Sequence, residues 1–495
     1  MIKRSFFPFF GALLFVASLF MLEACRDNTF ITDADATLAF SVDTLRFDTV
    51  FTELGSATRI LKIYNRHSQP IQISHIKLKD NAFAVFNFNV DGVSSNEVTN
   101  VEIAANDSMY VFAEVTINPD LPLTASPFVI GGELEFETNG NLQTVRLEAW
   151  GQNANYVPSR WSKGGFALLN QDATWDDAKP YVIYGVLFID SCTLTLPAGA
   201  QVFVHGGIAK LEDGSLYNDG IIYVLSEGKL KIEGTPEKPV TIQSDRLESE
   251  FDDISGQWAG IVLSAGSTGN TFNFAQIKHS IVGVRVDSAA TLQVRNSLIA
   301  HTASSGILGI HSTIVAENCL VFDNGTNSFQ GEYGGNYDFK YCTLANFGNN
   351  APALRLTNAL CLDEFCNEFM SFPLVARFKN CIVYGSQSDE VALFDRLGGA
   401  EPALFDYQLE NCIVRVKDLL KEDAYPTFLT EHCQPCQNAN STMELFRDAS
   451  NYDFHPDTLS IAKQYAVPIS GIDRDLENML RDLSTPDAGC YEANY

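Results

Sequence analysis

The sequence predicts an all-β protein in two parts, a sandwich followed by a parallel β-helix. Three observations carry that expectation. Residues 37–153 alternate apolar and polar side chains in short runs, the mark of strands with one buried face. From near residue 270 a unit close to 22 residues long recurs with its apolar positions kept in phase. The 495 residues are 46% hydrophobic and 11% aromatic, enough to fill a sizeable core and to exclude wholesale disorder.

The chain opens with Lys3 and Arg4, then an apolar run from Phe6 to Leu22 broken only by Pro8, Gly11 and Ser18. A basic start followed by an apolar core is the order of a secretory signal. The run ends in Leu22-Glu23-Ala24-Cys25, which resembles the lipobox of bacterial lipoproteins, with Glu23 where a small or aliphatic residue is usual. The resemblance implies that residues 1–24 are removed and that Cys25 is diacylated as the mature N-terminus. The alternative is a transmembrane anchor, since the run nearly reaches spanning length. No later stretch approaches that length, so the expectation is an exported outer-membrane lipoprotein, surface-exposed and tethered to the membrane at Cys25. A net charge of −28 argues against nucleic acid as a partner, because phosphates would be repelled.

Residues 25–36 read as a polar linker. Beyond it, Leu134 and Phe136 alternate with Glu133, Glu135 and Glu137, and Val145, Leu147 and Ala149 alternate with Arg146 and Glu148. Asn139-Gly140 between these runs marks a two-residue hairpin whose turn positions need positive φ. Further strands are predicted at Arg59–Tyr64, Ile71–Leu78, Ala84–Val90 and Ser108–Ile117. Seven or so short strands over 37–153 suit an immunoglobulin-like β-sandwich, without the paired cysteines of antibody domains. Such a domain serves as a spacer or adhesion module, and its sequence shows no chemistry.

After a predicted linker at 154–179, the repeat is anchored by Ala275, Ser297, Cys319, Cys342, Cys381 and Cys412, spaced 22, 22, 23, 39 and 31 residues apart. Two residues on stands an aliphatic side chain: Ile277, Ile299, Val321, Leu344, Val383 and Val414. Three residues before stands another apolar one: Phe272, Val294, Ala316, Phe339, Phe378 and Leu409. Five before stand Leu292, Ile314, Tyr337, Ala376 and Tyr407, with Asn270 the exception. Two period-2 strands are thus joined by a slip of one residue, which would flip every later side chain unless the chain turns there. The slip residue is Asn296, Asn318, Asn380 or Asn411 in four of the six units, and Asn tolerates the left-handed conformation well. Strand, Asn-marked bend, strand, repeated at this period, is the pattern of stacked coils that bury one continuous core.

This pattern resembles the right-handed parallel β-helix of the pectate-lyase superfamily over residues 180–440, in which Asn residues stack as a ladder at one bend. Thr193–Gly199, Gly228–Gly234 and Pro239–Ile242 look like its first coils, and the long steps of 39 and 31 imply loops between rungs. About nine to eleven coils are expected. The closing stretch Pro486-Asp-Ala-Gly-Cys-Tyr-Glu492, with Tyr452-Asp-Phe-His-Pro and Arg474, resembles the last segment of exported bacterial β-helix proteins; residues 441–495 are therefore expected to cap the last open coil.

Ten cysteines besides Cys25 face an oxidising compartment. The four in the repeat are expected to be small buried residues, whereas Cys361 with Cys366 and Cys433 with Cys436 lie in predicted loops and are the disulfide candidates. His432-Cys433-x-x-Cys436 invites a zinc reading, but one CxxC without a second pair is a thin signal.

The repeat also places outward residues in rows, so that Glu317, Asp338, Lys340, Arg377 and Lys379 share one solvent face. Polysaccharide lyases of the resembled superfamily hold Ca²⁺ with acids on such a face and abstract a proton with Arg or Lys, which makes Glu317, Asp338, Lys340 and Arg377 the catalytic candidates under that alternative. A calcium site needs several carboxylates together, whereas here acids alternate with bases. The Gly-His-Gly and Arg-Ile-Lys motifs of the polygalacturonase branch are absent, as is its pair of carboxylates. Gly331-Glu-Tyr-Gly-Gly-Asn-Tyr337 reads as a loop in which Glu332, Tyr333 and Tyr337 are candidates to meet a sugar, or as an ordinary excursion between coils. Glu248–Asp253 is expected to be a solvated acidic loop. The leading expectation is a non-catalytic cell-envelope protein that presents a β-helix face to a polysaccharide or surface-protein ligand, in adhesion or as a scaffold, without metal or cofactor. The alternative is a Ca²⁺-dependent polysaccharide lyase or a glycoside hydrolase.

Overall fold

The structure, a computed structural model, describes residues 29–51, 56, 58–79, 84–117, 128–157, 165–210, 216–421 and 425–493. The stretch expected to be an export signal, residues 1–24, and Cys25 lie outside the described residues. The chain divides into two compact units, residues 1–153 and 154–495.

In the first unit two five-stranded sheets face each other. One orders its strands Ala39–Phe40, Arg59–Tyr64, Ser108–Ile117, Ala84–Val90 and Val93–Ser95; the other Thr44–Phe51, Asn141–Gln152, Phe128–Thr138, Ile71–Lys79 and Glu97–Ile103. The chain starts in one sheet and crosses to the other, where Thr44–Phe51 runs parallel to the last strand, an immunoglobulin-like edge. Leu61, Ile63, Val111 and Val115 pack against Ile73, Leu134, Phe136 and Leu147, the inward halves of the predicted alternations. Asn139 (φ 51°) and Gly140 (φ 79°) make the hairpin turn as expected. Ala36 is buried in this core and Ile31 packs on it, so the sandwich reaches back into the segment predicted as linker 25–36. Small apolar residues in a polar stretch were enough to dock it.

The second unit is a parallel β-helix of three sheets. Sheet I begins each turn (Gly165–Leu169, Ile221–Val224, Trp258–Leu263 and Ser280–Val286 through to Leu354–Thr357 and Val391–Phe394), sheet II follows, and sheet III closes it (Gln201–His205, Val240–Ser244, Ala275–Lys278, Leu298–Thr302, Leu320–Asn324, Thr343–Asn346, Ile382–Gly385, Cys412–Val414 and Cys436–Asn438). Sheet II has nine rungs: Ala173–Thr174, Thr193–Pro197, Lys229–Glu233, Asn270–Asn273, Thr291–Arg295, the ends of Ile307–Glu317 and Phe329–Lys340, Leu374–Lys379 and Phe405–Glu410. Parallel pairing starts earlier than the sequence suggested. Asn155–Val157 pairs with Tyr181–Ile183, and Gly165–Leu169 with Gly185–Ile189, so the predicted linker 154–179 is the helix's first turn. Its strands are short and carry no repeat, which hid them.

The reference residues form one internal column. Ala275, Cys319, Cys342, Cys381 and Cys412 are all in the interior cluster, and Ser297 is 1% exposed beside them. The Cys342 amide donates to Cys381 Sγ, and the Cys381 amide to Cys412 Sγ, each at 3.4 Å. Burial pushes the Cys319, Cys342 and Cys381 thiols well above their ordinary range, which leaves them inert. At the bend before each of these residues the backbone is left-handed: Phe274 (48°), Asn296 (48°), Asn318 (52°), Tyr341 (50°), Asn380 (59°) and Asn411 (50°). The bend is therefore a property of the coil, and Asn is the residue that meets it at least cost.

The last segment lies elsewhere than expected. The open end of the helix is closed by residues 418–421 and 425–438: Phe428 is buried in the interior, and Leu419, Leu420, Tyr425, Leu429 and Cys436 pack beside it. Of the segment 441–495, the described residues 441–493 instead run along the outside of sheet III. Leu445, Phe446, Phe454, Ala462, Ala466, Ala488 and Cys490 pack on Ala300, Leu320, Phe322, Ala345, Ile382, Tyr384 and Ile413. The outward residues of sheet III are apolar from Leu298 on, Thr343 apart, and a parallel sheet largely apolar on both faces must be covered on both.

Candidate binding groove

The cover is fixed to the asparagine bend. Asn380 Nδ2 donates to the Val467 carbonyl at 2.7 Å and its Oδ1 accepts from the Val467 amide at 3.2 Å. Asn318 Nδ2 reaches both Asn296 Oδ1 (3.0 Å) and the Arg474 carbonyl (2.8 Å). Arg481, 4% exposed, donates to Asn318 Oδ1 and the Gly489 carbonyl at 3.0 Å each, pairs with Glu492 at 3.4 Å, and lies 3.9 Å over the Tyr341 ring. Burial lowers the Arg481 pKa, against its neighbouring acids. Gly489 (φ 88°) approaches sheet III so closely that a Cβ there would sit 2.7 Å from Thr343 Oγ1.

Between this cover and sheet II runs a groove of about 530 Å³. One wall is Phe274, Arg295, Asn296, Glu317, Asn318 and Lys340; the other is formed by residues 469–475 and Asn478. Its charges differ in how far they are engaged. Arg295 pairs with Glu317 at 2.7 Å and Lys340 with Asp338 at 2.6 Å. Asp475 is 2% exposed and accepts the amides of Glu477, Met479 and Glu492; burial raises its pKa against those hydrogen bonds. Arg474 has no carboxylate partner among the described residues. Its Nη1 donates to the Asn478 carbonyl at 2.6 Å, leaving Nε and Nη2 open on the groove wall. A guanidinium held at one nitrogen is pre-set to grip an oxygen-rich ligand with the rest of its fork.

The predicted solvent face exists in register: Arg295, Glu317, Lys340, Lys379 and Glu410 form one row, and Gln293, Val315, Asp338, Arg377 and Gln408 the next. Of the catalytic candidates, Glu317 and Lys340 reach the groove, while Asp338 and Arg377 stay on the open face. Arg377 pairs with Asp406 at 2.5 Å and Lys379 with Glu410 at 2.9 Å. Each acid is thus met by a base, and these residues do not fit a calcium centre. Among the described residues no group of three or more His, Cys, Asp or Glu could hold a metal ion.

The sugar-stacking loop expected at 331–337 is not a loop. These residues lie inside the strand Phe329–Lys340, which turns the corner from sheet I to sheet II with Tyr333 left-handed (58°). Tyr337 is fully buried against Phe329, and its hydroxyl donates to the Gly334 carbonyl at 2.7 Å. Gly335 (φ 124°) makes room for it, since a Cβ there would sit 2.5 Å from the hydroxyl. Glu332 is tied to Arg355 at 2.7 Å. Glycine here accommodates a large inward ring and does not signal flexibility.

Cys361–Cys366 and Cys433–Cys436 are disulfide-bonded. His432 stacks on Tyr407, with Nδ1 3.3 Å from the Tyr407 carbonyl, and takes no part in a metal site. In the acidic loop, Glu248 is 8% exposed and paired with Arg246 at 3.2 Å, so that end is anchored and not solvated.

Fold and groove together define a sandwich joined to a parallel β-helix whose own C-terminal segment walls a polar cleft. No family model matches the chain, and no curated protein does. Among solved structures it is similar to the catalytic domain of GH87 alpha-1,3-glucanase in complex with nigerose (11% identity, 72% of this chain and 82% of that one, TM-score 0.18). It is also similar to the catalytic unit of the thermostable GH87 alpha-1,3-glucanase from Streptomyces thermodiastaticus (9% identity, 72% and 73%, TM-score 0.23). A third is a protein of unknown function from Porphyromonas gingivalis (11% identity, 28% of this chain, TM-score 0.18), of which the chain spans 59% of the length.

Proposed function

We propose that this chain is an exported outer-membrane lipoprotein, anchored through Cys25 and surface-exposed, that binds a glycan in the groove between sheet II and its C-terminal cover without cleaving it. The observation that carries the proposal is the open fork of Arg474, set among the amides of Asn296, Asn318 and Asn478 in a cleft of about 530 Å³. The acids a lyase would need are engaged with bases. The test is a glycan-binding panel with the full chain, run beside incubation with acidic polysaccharides with and without Ca²⁺. We expect a binding glycan whose affinity falls at least tenfold in Arg474→Ala, and no product absorbing in the ultraviolet. An unsaturated product would replace this function with the lyase alternative. Labelling cells with a radioactive fatty acid tests the anchor: the label should be present, and lost in Cys25→Ala.

A further inference from the structure

The sequence of the sandwich shows no chemistry, yet its first sheet has an outer face unlike a plain spacer. Across that sheet Ile60, Phe112, Asn89 and Ser94 lie opposite one another in one cross-strand row, and Asn87 lies opposite Glu114 in the next. Tyr110 stands beside Phe112, ring centroids 6.5 Å apart. Ile60 is 54% exposed, Tyr110 49% and Phe112 39%. A cleft of about 390 Å³ opens here, lined by Thr58, Asn87, Phe88, Asn89, Ser94, Phe112, Ala113 and Glu114.

Its polar groups contrast with those on sheet II. There each charge meets an opposite charge on the next rung or two residues along its own strand. Here, among the described residues, the Asn87 amide and the Glu114 carboxylate make no hydrogen bond or ion pair, and Asn89 commits only its oxygen, to the Gly92 amide at 3.0 Å. An amide offers a donor and an acceptor side by side, and a carboxylate accepts twice, which is the pattern vicinal hydroxyls answer. Exposed aromatic faces beside such groups suit a ligand with one apolar and one hydroxylated side. Glu114 is in the lining and, among the described residues, no Lys or Arg is, on a chain of charge −28, so an anionic ligand is disfavoured.

We propose that this cleft is a second ligand site, one that takes a short segment of uncharged glycan, its ring against Phe112 and its hydroxyls on Asn87, Asn89 and Glu114. The site is independent of the helix groove.

The experiment is calorimetric titration of the full chain with neutral gluco-, manno-, galacto- and xylo-oligosaccharides, with an oligogalacturonate as the charged control. At least one neutral oligosaccharide should bind, about tenfold or more weaker in Phe112→Ala and several-fold weaker in Asn87→Ala, and unchanged in Arg474→Ala. Asn87→Ala removes only an amide and keeps the test sound if Phe112→Ala disturbs the sheet. Absence of binding by every neutral sugar, affinity that survives both variants, or preference for the oligogalacturonate would each overturn the site. Neutral-sugar binding lost only in Arg474→Ala would also overturn it, while leaving the helix groove as the glycan site.

Discussion

Sheets II and III of the β-helix are built from the same coil, one bend apart, and meet opposite fates. Outward from sheet II stand Arg295, Glu317, Lys340, Lys379 and Glu410; outward from sheet III stand Leu298, Leu320, Thr343, Ile382 and Ile413. The first row meets water and neutralises itself by pairing. The second is buried under residues 441–493. The interior rows are alike in both sheets, so the outward residue alone decides whether a rung ends in solvent or recruits more chain. The groove exists only because the two faces adjoin: one wall is self-paired charge, the other the edge of the cover.

The largest effect should come from Arg481, the buried cation that holds the cover to Asn318. Arg481→Ala removes the cation beside Glu492 and Asp475, two carboxyls already pushed up in pKa by burial. Removing one partner of a buried pair costs about 3–5 kcal/mol. Denaturant unfolding should therefore show a loss of that size, with hydrogen exchange over residues 460–493 rising first. Equal protection in the variant would mean that the apolar contacts alone hold the cover.

The corner where sheet III hands over to sheet I gives a pH-dependent comparison. Glu390 is fully buried and accepts the amides of Ala353 (2.8 Å) and Gln387 (2.6 Å). Burial pushes its pKa up to about 7 in spite of those bonds. A carboxyl raised in the fold contributes stability that is complete below its unfolded pKa and lost as pH climbs through the folded one. Wild type should thus lose up to about 3 kcal/mol between pH 4.5 and 8 through this group. Glu390→Gln, which cannot ionise, should narrow its gap to wild type over the same range. A gap that is flat with pH would show that Glu390 is ionised throughout.

A middle-sized effect is expected at the bend itself. Asn318→Ala frees the Arg474 carbonyl and one Arg481 nitrogen and puts a residue less tolerant of positive φ at 52°. The cost should be about 1–3 kcal/mol. Asn411→Ala, at the same kind of bend but with no side-chain bond to the cover among the described residues, should cost less. If the two variants cost the same, the φ angle and not the cover sets the value of asparagine here.

Much of this was legible in the sequence, for a physical reason. A stacked coil must repeat its inward residues, so Cys319, Cys342 and Cys381 announced their column, and Asn296, Asn318, Asn380 and Asn411 their bend. The cover's site was readable too: Leu298, Leu320, Ile382 and Ile413 follow the reference residues directly, and apolar side chains there face outward. Tyr337 already stood in an inward row, which should have outweighed the glycines around it. The groove was not legible, because it joins residues 295–340 to 469–478, a long-range contact made by a segment with no period. The first turn escaped for the same lack: Ala173–Thr174 and Asn155–Val157 are too short to show alternation.

The smallest effect should come from the open face of sheet II, and there salt is the better probe. Lys379 and Glu410 pair at 2.9 Å with 37% and 46% of their side chains exposed, so water screens the attraction and two flexible side chains lose freedom to form it. Exposed pairs of this kind are worth about 0–1 kcal/mol. Lys379→Ala should therefore shift stability by no more than that, and the shift should fade at about 1 M salt, where screening shortens to about 3 Å. The Arg481→Ala loss, arising where solvent ions do not reach, should persist in the same buffer. If both losses faded alike, the cover would be held by surface electrostatics, and sheets II and III would differ only in degree. If neither faded, the sheet II pairs would be packed more tightly than their exposure allows, and the face would have to be treated as a second structural surface.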